Sequence, residues 1–152
     1  MADSGGKEKH RSQGQFYLWN MLVPLLLGTA LYILFRPDTY IALFFYKLLD
    51  IEKQSLADTI VSSGWFGAVC RNFLPDILWA YVLTFGVGAV WRDAGGFPIS
   101  TVIICAIFEA VFEFGQGIGL WSGTFDWWDI GLEICATVLA ALIINSRKEK
   151  VK

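Results

Sequence analysis

The sequence has few of the residues from which common soluble active sites are built. Its 152 residues include one histidine, His10, and three cysteines, Cys70, Cys105 and Cys135. The cysteines form neither a CxxC pair nor a zinc-binding spacing. No serine–histidine or cysteine–histidine arrangement and no glycine-rich phosphate loop occurs in the sequence. The sequence therefore gives no support to a covalent nucleophile, and it predicts packing roles for Cys105 and Cys135 within apolar runs.

Charge is also scarce, and much of it lies in the two tails. Charged residues make up 17% of the chain and hydrophobic residues 55%, and the mean hydropathy is +0.52. Basic residues crowd "GGKEKHR" near the start and "NSRKEKVK" at the end, but an acid is interleaved in each group. This pattern disfavours a nucleic-acid-binding arm and indicates juxtamembrane tails.

Four apolar runs predict an all-α integral membrane bundle of four transmembrane helices. The first is Phe16–Phe35, which is too long for a signal peptide and is interpreted as an uncleaved span containing Pro24. The second covers Asn72–Trp91, the third Pro98–Gln116 and the fourth Trp128–Asn145.

The residues between the first two spans predict a long extracytoplasmic loop. Its apolar pieces, within "TYIALFFYKLLDIEKQ" and "TIVSSGWFGAVCRN", are too short to cross a bilayer and are interpreted as interfacial helical pieces. Asn72 and Pro75 suit the cap and the first turn of the second span. Residues 1–15 are predicted to form a disordered cytoplasmic tail, residues 16–145 the four-helix membrane domain and residues 146–152 a basic cytoplasmic tail.

The distribution of basic residues predicts the orientation. Four spans place both termini on one side, and eight of the twelve lysines and arginines fall on that side. The positive-inside rule therefore predicts a multi-pass protein of the plasma membrane with both termini in the cytoplasm. The polar residues that then collect at the outer boundary are Arg36, Asn72, Asp76, Glu113, Gln116, Asp126 and Asp129.

Acidic and amide side chains recur at helical spacing in the last two spans. In the third span, one face carries Glu109, Glu113 and Gln116. In the fourth span, Asp126, Asp129 and Glu133 have the same spacing, provided that the helix begins near Thr124. Because the connection "GIGLWSG" is short, the two helices are expected to be antiparallel neighbours with facing acidic stripes. We refer to the whole candidate functional site as the polar cluster: Arg36, Asp76, Glu109, Glu113, Gln116, Asp126, Asp129 and Glu133.

The polar cluster needs compensation for its charge. An acid at the bilayer centre costs on the order of 3 kcal/mol, and neither helix supplies a basic residue within its span. Three sources of relief are open: protonation of the acids, a cation bound by several oxygen ligands, or Arg36 and Arg71 acting as counter-ions from the outer loop.

A structural role is the alternative for part of this set. Asp76, Asp126 and Asp129 suit the first turns of helices, where acids complement the helix dipole. Thr124 suits a cap, and the tryptophans at 121, 127 and 128 suit an interfacial aromatic belt. Caps cannot explain the deeper acids at 109, 113 and 133, which favours a functional role for them.

The motif "EFGQ" followed by "TFDWWD" resembles the VanZ-like membrane protein family, whose pattern is E-x-x-Q, a short loop, and D-x-x-D opening the last helix. Glu113 and Gln116 match the first pair, and Asp126 and Asp129 match the second. The dipeptide "RP" after the first span and "LPDILW" at the second are also similar to the family. The resemblance implies a bacterial cell-envelope protein, since the family is associated with low-level teicoplanin resistance.

The sequence departs from the family pattern at two positions. The family usually has an arginine in the loop before D-x-x-D, where this chain has Gly123 or a neighbour of it. The family often has an asparagine four residues after the second aspartate, where this chain has Glu133. These differences bear on a shared ligand more than on a shared fold.

Three classes of function are compatible with these features. The favoured one is a binding or accessory membrane protein whose outward-facing pocket holds a lipid head group, a cell-wall precursor or a glycopeptide. The second is an enzyme on a lipid-linked substrate, with Glu113 or Asp129 as general base or metal ligand. The third is a small proton- or cation-coupled transporter, which with only four spans would need to be a homo-oligomer. No nucleic-acid partner is expected, and no cofactor is assigned beyond the cation considered above.

Overall fold

The computed structural model describes residues 4–35, 40–50, 64–91, 99–120 and 125–149. Regular structure in these ranges is entirely helical, which confirms the all-α prediction. The helices are α1 (Ser4–Phe35), α2 (Tyr40–Leu49), α3 (Gly64–Asn72), α4 (Leu74–Val90), α5 (Ile99–Gly117) and α6 (Trp127–Glu149). Of the predicted loop between the first two spans, residues 36–39 and 51–63 lie outside the described residues.

Three segments of the described chain are long and apolar enough to cross a membrane: Gly64–Val90, Ile99–Gly117 and Trp127–Arg147. The last two match the predicted third and fourth spans to within two residues at each end. The predicted first span lies within α1, and the count of four spans stays a prediction. The chain is therefore an all-helical protein with the dimensions and composition of a membrane protein.

The second span is longer than predicted because α3 continues almost directly into α4. The N–H of Phe73 donates to the carbonyl of Val69, and the N–H of Ile77 donates to the carbonyl of Phe73, each at 3.0 Å. Pro75 lies in the first turn of α4, as predicted. Asn72 is not its cap: Phe73 occupies that position, and no side chain bonds there. Asn72 instead ends α3, and the chain passes from it into α4 through Phe73, whose N–H is bonded to the carbonyl of Val69.

Residues 4–15 are helical in the structure, whereas the sequence predicted an irregular tail. Extending an existing helix costs far less than nucleating one, so the apolar part of α1 can propagate into the polar residues before it. A contact with α6 also holds this region. Arg147 donates from Nη2 to Ser12 Oγ at 3.3 Å, and its guanidinium lies 5.6 Å from the Phe16 ring centroid. The beginning of α1 and the end of α6 therefore lie at the same end of the bundle.

The central helix of the bundle is α4. It packs along α1 and along α6, while α5 packs mainly against α6. The apolar core lies between these helices, with Tyr17 of α1, Phe85 of α4 and Ile144 of α6 all buried. The Tyr81 and Phe85 rings pack with centroids 4.8 Å apart. This core occupies the half of the bundle that contains the beginning of α1.

A polar tie and a close approach join α1 to α4. Tyr81 Oη donates to Asn20 Oδ1 at 2.8 Å. Farther along the same interface, a Cβ atom on Gly28 would lie 3.4 Å from Leu78 Cβ. In a membrane, where lipid is as apolar as a side chain, small residues and interhelical hydrogen bonds are what bring helices together. These contacts therefore fix α1 against the central helix.

We expect Phe85→Ala to reduce the free energy of unfolding by about 3–5 kcal/mol, because it leaves a cavity that neighbouring helices cannot fill. Unfolding in mixed micelles would measure the loss. Phe108→Ala is the matched control, since the Phe108 ring on α5 is 56% exposed, whereas Phe85 is fully buried. Equal losses in the two variants would contradict the position of Phe85 in the core.

Candidate functional site

A chain of buried hydroxyl and carboxyl groups joins α4, α5 and α6 near the middle of their length. Thr137 Oγ1 lies 2.6 Å from Glu109 Oε1, and Thr84 Oγ1 lies 3.1 Å from Thr137 Oγ1. Thr84 Oγ1 also lies 2.9 Å from the carbonyl oxygen of Ala80. The side chains of Thr84 and Thr137 are fully buried, and that of Glu109 is 5% exposed. These contacts set the relative register of the three helices.

The same register brings acids of neighbouring helices together one turn away from the contact of Thr137 with Glu109. Glu133 precedes Thr137 by one turn of α6, and Glu113 follows Glu109 by one turn of α5, so an antiparallel pair places Glu133 opposite Glu113. The carboxylates of Glu109 and Glu113 both lie close enough to Glu133 to repel its charge. The predicted antiparallel pairing of facing acidic stripes agrees with this geometry.

The beginning of α4 contributes another acid from a third helix. Asp76 lies in the first turn of α4 and Asp129 in the first turn of α6. Both carboxylates act electrostatically on Glu133. Because Thr84 and Thr137 are each eight residues farther along, the two helices run side by side in the same direction. The acids of α4 and α6 therefore open at one end of the bundle, and Glu109 lies deepest.

Six residues of the polar cluster thus come from three helices to one region. Gln116 belongs to it through its amide, whose Nε2 donates to Glu113 Oε1 at 3.5 Å, the outer limit of a hydrogen bond. Glu113 is almost fully buried, while Gln116 and Glu133 are half-buried. The six residues are Asp76, Glu109, Glu113, Gln116, Asp129 and Glu133.

Asp126 has a different role in the structure from its predicted neighbours. The helix α6 begins at Trp127, later than the start near Thr124 that the shared acidic face required. Asp126 precedes the helix, and its Oδ1 accepts a hydrogen bond from the N–H of Trp128 at 2.9 Å. This is the geometry of a helix N-cap, so the capping alternative accounts for Asp126.

Of the two predicted counter-ions, only Arg71 is among the described residues. Arg71 is exposed at the end of α3, where its Nε donates to Asn72 Oδ1 at 3.2 Å. Arg36 lies outside the described residues, as do Trp121 and Thr124. A counter-ion role for Arg36 stays a prediction.

The described carboxylates also do not form a metal site. Within the described ranges, no group of three or more His, Cys, Asp or Glu side chains is arranged to hold a metal ion. In the same ranges, the buried Oε2 atoms of Glu109 and Glu133 have no hydrogen-bond partner, whereas Asp76, Glu113 and Asp129 all have interactions beyond those given above.

Sequence reasoning missed Thr84 and Thr137. A single threonine in an apolar helix attracts little notice, because its hydroxyl can bond to a carbonyl of its own helix. A signal was nevertheless present in the spacing. Thr137 follows Glu133 by one turn, and Thr84 follows Asp76 by eight residues, so each threonine lies on the same helical face as an acid.

Aromatic side chains lie where α5 ends and α6 begins, close in sequence to Gln116 and Asp129. Phe125 packs against Phe114 and Trp127, with ring centroids 5.4 and 4.9 Å apart. Trp127 and Trp128 are both more than two-thirds exposed. Amphipathic rings of this kind favour the boundary between lipid and water, which agrees with the predicted aromatic belt.

We expect Asp126→Ala to cost about 1 kcal/mol of stability, because it removes the acceptor for the first turn of α6. Asp126→Asn should be close to wild type, since asparagine caps as well as aspartate does. Hydrogen exchange at the Trp128 amide, together with thermal unfolding, would measure both effects. An asparagine variant as unstable as the alanine variant would show that Asp126 acts through its charge rather than as a cap.

Comparison with known proteins does not identify a family for this chain. No protein-family model, curated protein or solved structure matches the chain. The VanZ-like resemblance therefore rests on the sequence motifs alone, of which the most specific contain Glu113, Gln116, Asp126 and Asp129.

Proposed function

We propose that this chain is a VanZ-like cell-envelope protein whose polar cluster binds the head group of a membrane-associated ligand. In the proposal it spans the plasma membrane four times, with both termini in the cytoplasm and the cluster open to the outer boundary. The ligand is a lipid-linked cell-wall precursor, a lipid head group or a glycopeptide. The observation that carries the proposal is the convergence of carboxyl groups from α4, α5 and α6 around Glu133.

The chemistry of the cluster suggests what it would recognise. Carboxylates and a glutamine carbonyl offer hydrogen-bond acceptors, and the Gln116 amide adds donors. Like charges gathered among apolar helices oppose folding unless something compensates them. A head group that carries an amine or several hydroxyls would provide that compensation. Such a ligand could keep its apolar part in lipid, beside the exposed rings of Trp127 and Trp128.

The arrangement of helices supports the four-span part of the proposal. The helix α1 contains an apolar run of twenty residues and packs along α4, which belongs to a segment able to span the membrane. Its beginning contacts Arg147 near the end of α6. Both ends of the bundle's chain path are therefore close together, as an even number of spans requires.

The proposal predicts that charge, rather than shape, matters at Glu113 and Asp129. Glu113→Gln and Asp129→Asn keep the size of each side chain and most of its hydrogen bonding. Each should leave the yield of folded protein near wild type, yet weaken binding of teicoplanin to purified protein about tenfold or more, because a hydrogen bond to a charged group is lost. Tryptophan fluorescence titration would measure the affinity, and native mass spectrometry would show whether co-purifying lipid is lost.

Asp50→Asn is the matched control for these variants. Asp50 is exposed at the end of α2 with φ of 52°, a conformation that asparagine adopts readily. Its change removes one negative charge far along the chain from the cluster and should alter neither yield nor binding. If Glu113→Gln and Asp129→Asn retained both teicoplanin and lipid as the control does, the proposed binding site would be wrong.

The proposed orientation predicts the activity of alkaline phosphatase fusions. Phosphatase fused after Lys152 should be inactive, because that terminus is placed in the cytoplasm, and phosphatase fused near Lys53 should be active. Immunoblots of both fusions would establish equal expression. The reverse pattern would turn the polar cluster towards the cytoplasm.

A further inference from the structure

The contacts among Glu109, Thr137 and Thr84 determine how many hydrogen atoms this part of the bundle must hold. We infer that Glu109 carries a proton in the resting protein and forms a proton-binding site in the centre of the bundle. This site lies deeper than the ligand-binding end proposed above, and the inference does not depend on that ligand.

The inference follows from counting donors. Three oxygen–oxygen contacts run in sequence, from Glu109 to Thr137, from Thr137 to Thr84, and from Thr84 to the carbonyl of Ala80, at 2.6, 3.1 and 2.9 Å. Each needs one hydrogen. The two threonine hydroxyls have one each, and a carbonyl has none. An ionised Glu109 therefore leaves two hydrogens for three contacts, so that the Thr84 hydroxyl must divide its hydrogen between Thr137 Oγ1 and the carbonyl oxygen of Ala80.

A protonated Glu109 satisfies all three contacts in one direction. Its carboxyl O–H donates to Thr137 Oγ1, the Thr137 hydroxyl donates to Thr84 Oγ1, and the Thr84 hydroxyl donates to the carbonyl oxygen of Ala80. The chain ends on a backbone acceptor that needs no further donor. Successive hydroxyl donors aligned in one direction polarise and strengthen one another in a medium of low dielectric.

The surroundings of Glu109 favour the same state. The residue is 5% exposed and lies about 12 Å from the end of α5, near the middle of a helix that is long enough to span a membrane. Its Oε2 is buried and has no hydrogen-bond partner among the described residues. An ionised carboxylate would leave that oxygen's charge unsolvated, which is far more costly than leaving a neutral oxygen unsolvated.

Among the described residues, the other titratable groups that interact with this region are acidic or neutral. The helix α4 contributes Asp76, α5 contributes Cys105 and Glu113, and α6 contributes Asp129 and Glu133. Glu109 interacts electrostatically with Glu133, and Glu133 with the acids of the open end. The proton on Glu109 thus lies near other carboxyl groups, of which Glu133 interacts with it electrostatically.

Infrared spectroscopy tests the inference directly. Wild-type protein in detergent at neutral pH should show the carbonyl band of a protonated carboxylic acid, which is well separated from carboxylate bands. Glu109→Gln should weaken that band by the contribution of one carboxyl group and should remove the component that responds to changes at Thr137. Glu133→Gln is the matched control on the facing helix and should retain the component that responds to changes at Thr137. A component that disappears with Glu133→Gln and persists with Glu109→Gln would overturn the assignment, as would the absence of the band from the wild type.

Thr137 provides a second test that keeps Glu109 in place. Thr137→Val removes the acceptor of the proposed carboxyl hydrogen bond with little change of shape, so the carbonyl band should move to higher frequency. Thr137→Ser keeps the hydroxyl and should leave the band where it is. If Glu109→Gln does not fold, this pair of variants still tests whether Glu109 carries the proton. Identical band positions in the valine, serine and wild-type proteins would contradict the inference.

Discussion

The contact between Thr84, Thr137 and Glu109 is the constraint from which the arrangement of the acids follows. It holds α4, α5 and α6 in one relative register at mid-depth. One turn away, the same register sets Glu133 against Glu113, and two turns away it brings Asp76 and Asp129 to the same end of the bundle. In lipid, where apolar burial does little to select a register, a short polar contact among three helices is well suited to do so.

The two ends of the bundle differ in composition: one contains the apolar core, and the other contains the carboxyl groups. The end that contains the beginning of α1 is closed by an apolar core around Phe85 and Ile144 and by the contact of Arg147 with α1. The other end gathers carboxyl groups, which repel one another wherever two of them are ionised. Close packing at the first end can offset the repulsion at the second, so that the acids persist where a more apolar pair of helices would be easier to fold. Residues that oppose folding and are nevertheless held together in this way are typical of functional sites.

Much of this architecture could be predicted from the sequence, because length and hydropathy alone determine where a helix can span. The third and fourth spans were predicted closely for that reason. The continuation of α3 into α4 could not be predicted, because Gly64, Gly67 and Pro75 indicate a break in the helix. In the structure, backbone hydrogen bonds of Phe73 connect the two helices. Likewise, the helix before residue 16 depends on its attachment to the apolar part of α1, which local composition does not reveal.

The acids of the polar cluster were predicted from helical spacing. The register between helices, which brings these acids together, was not predicted. Spacing shows which residues share a face of one helix, and it says nothing about the register between helices. That register depends on Thr84 and Thr137, whose hydroxyls are unremarkable until the two helices are placed side by side. Asp126 shows the converse: its spacing matched the acidic face, and only the position at which α6 begins reveals it as a cap.

Cysteine cross-linking between α4 and α6 tests the register most directly. In a chain with Cys70, Cys105 and Cys135 replaced by alanine, the pair Ala80→Cys and Glu133→Cys lies one turn from the contact of Thr84 with Thr137. Mild oxidation in the membrane should join this pair efficiently, because facing positions on closely packed helices meet the distance that a disulfide requires. The pair Ala80→Cys and Asp129→Cys, displaced by one turn, should cross-link poorly. Preferential cross-linking of the displaced pair would contradict the register, and with it the convergence of the acids around Glu133.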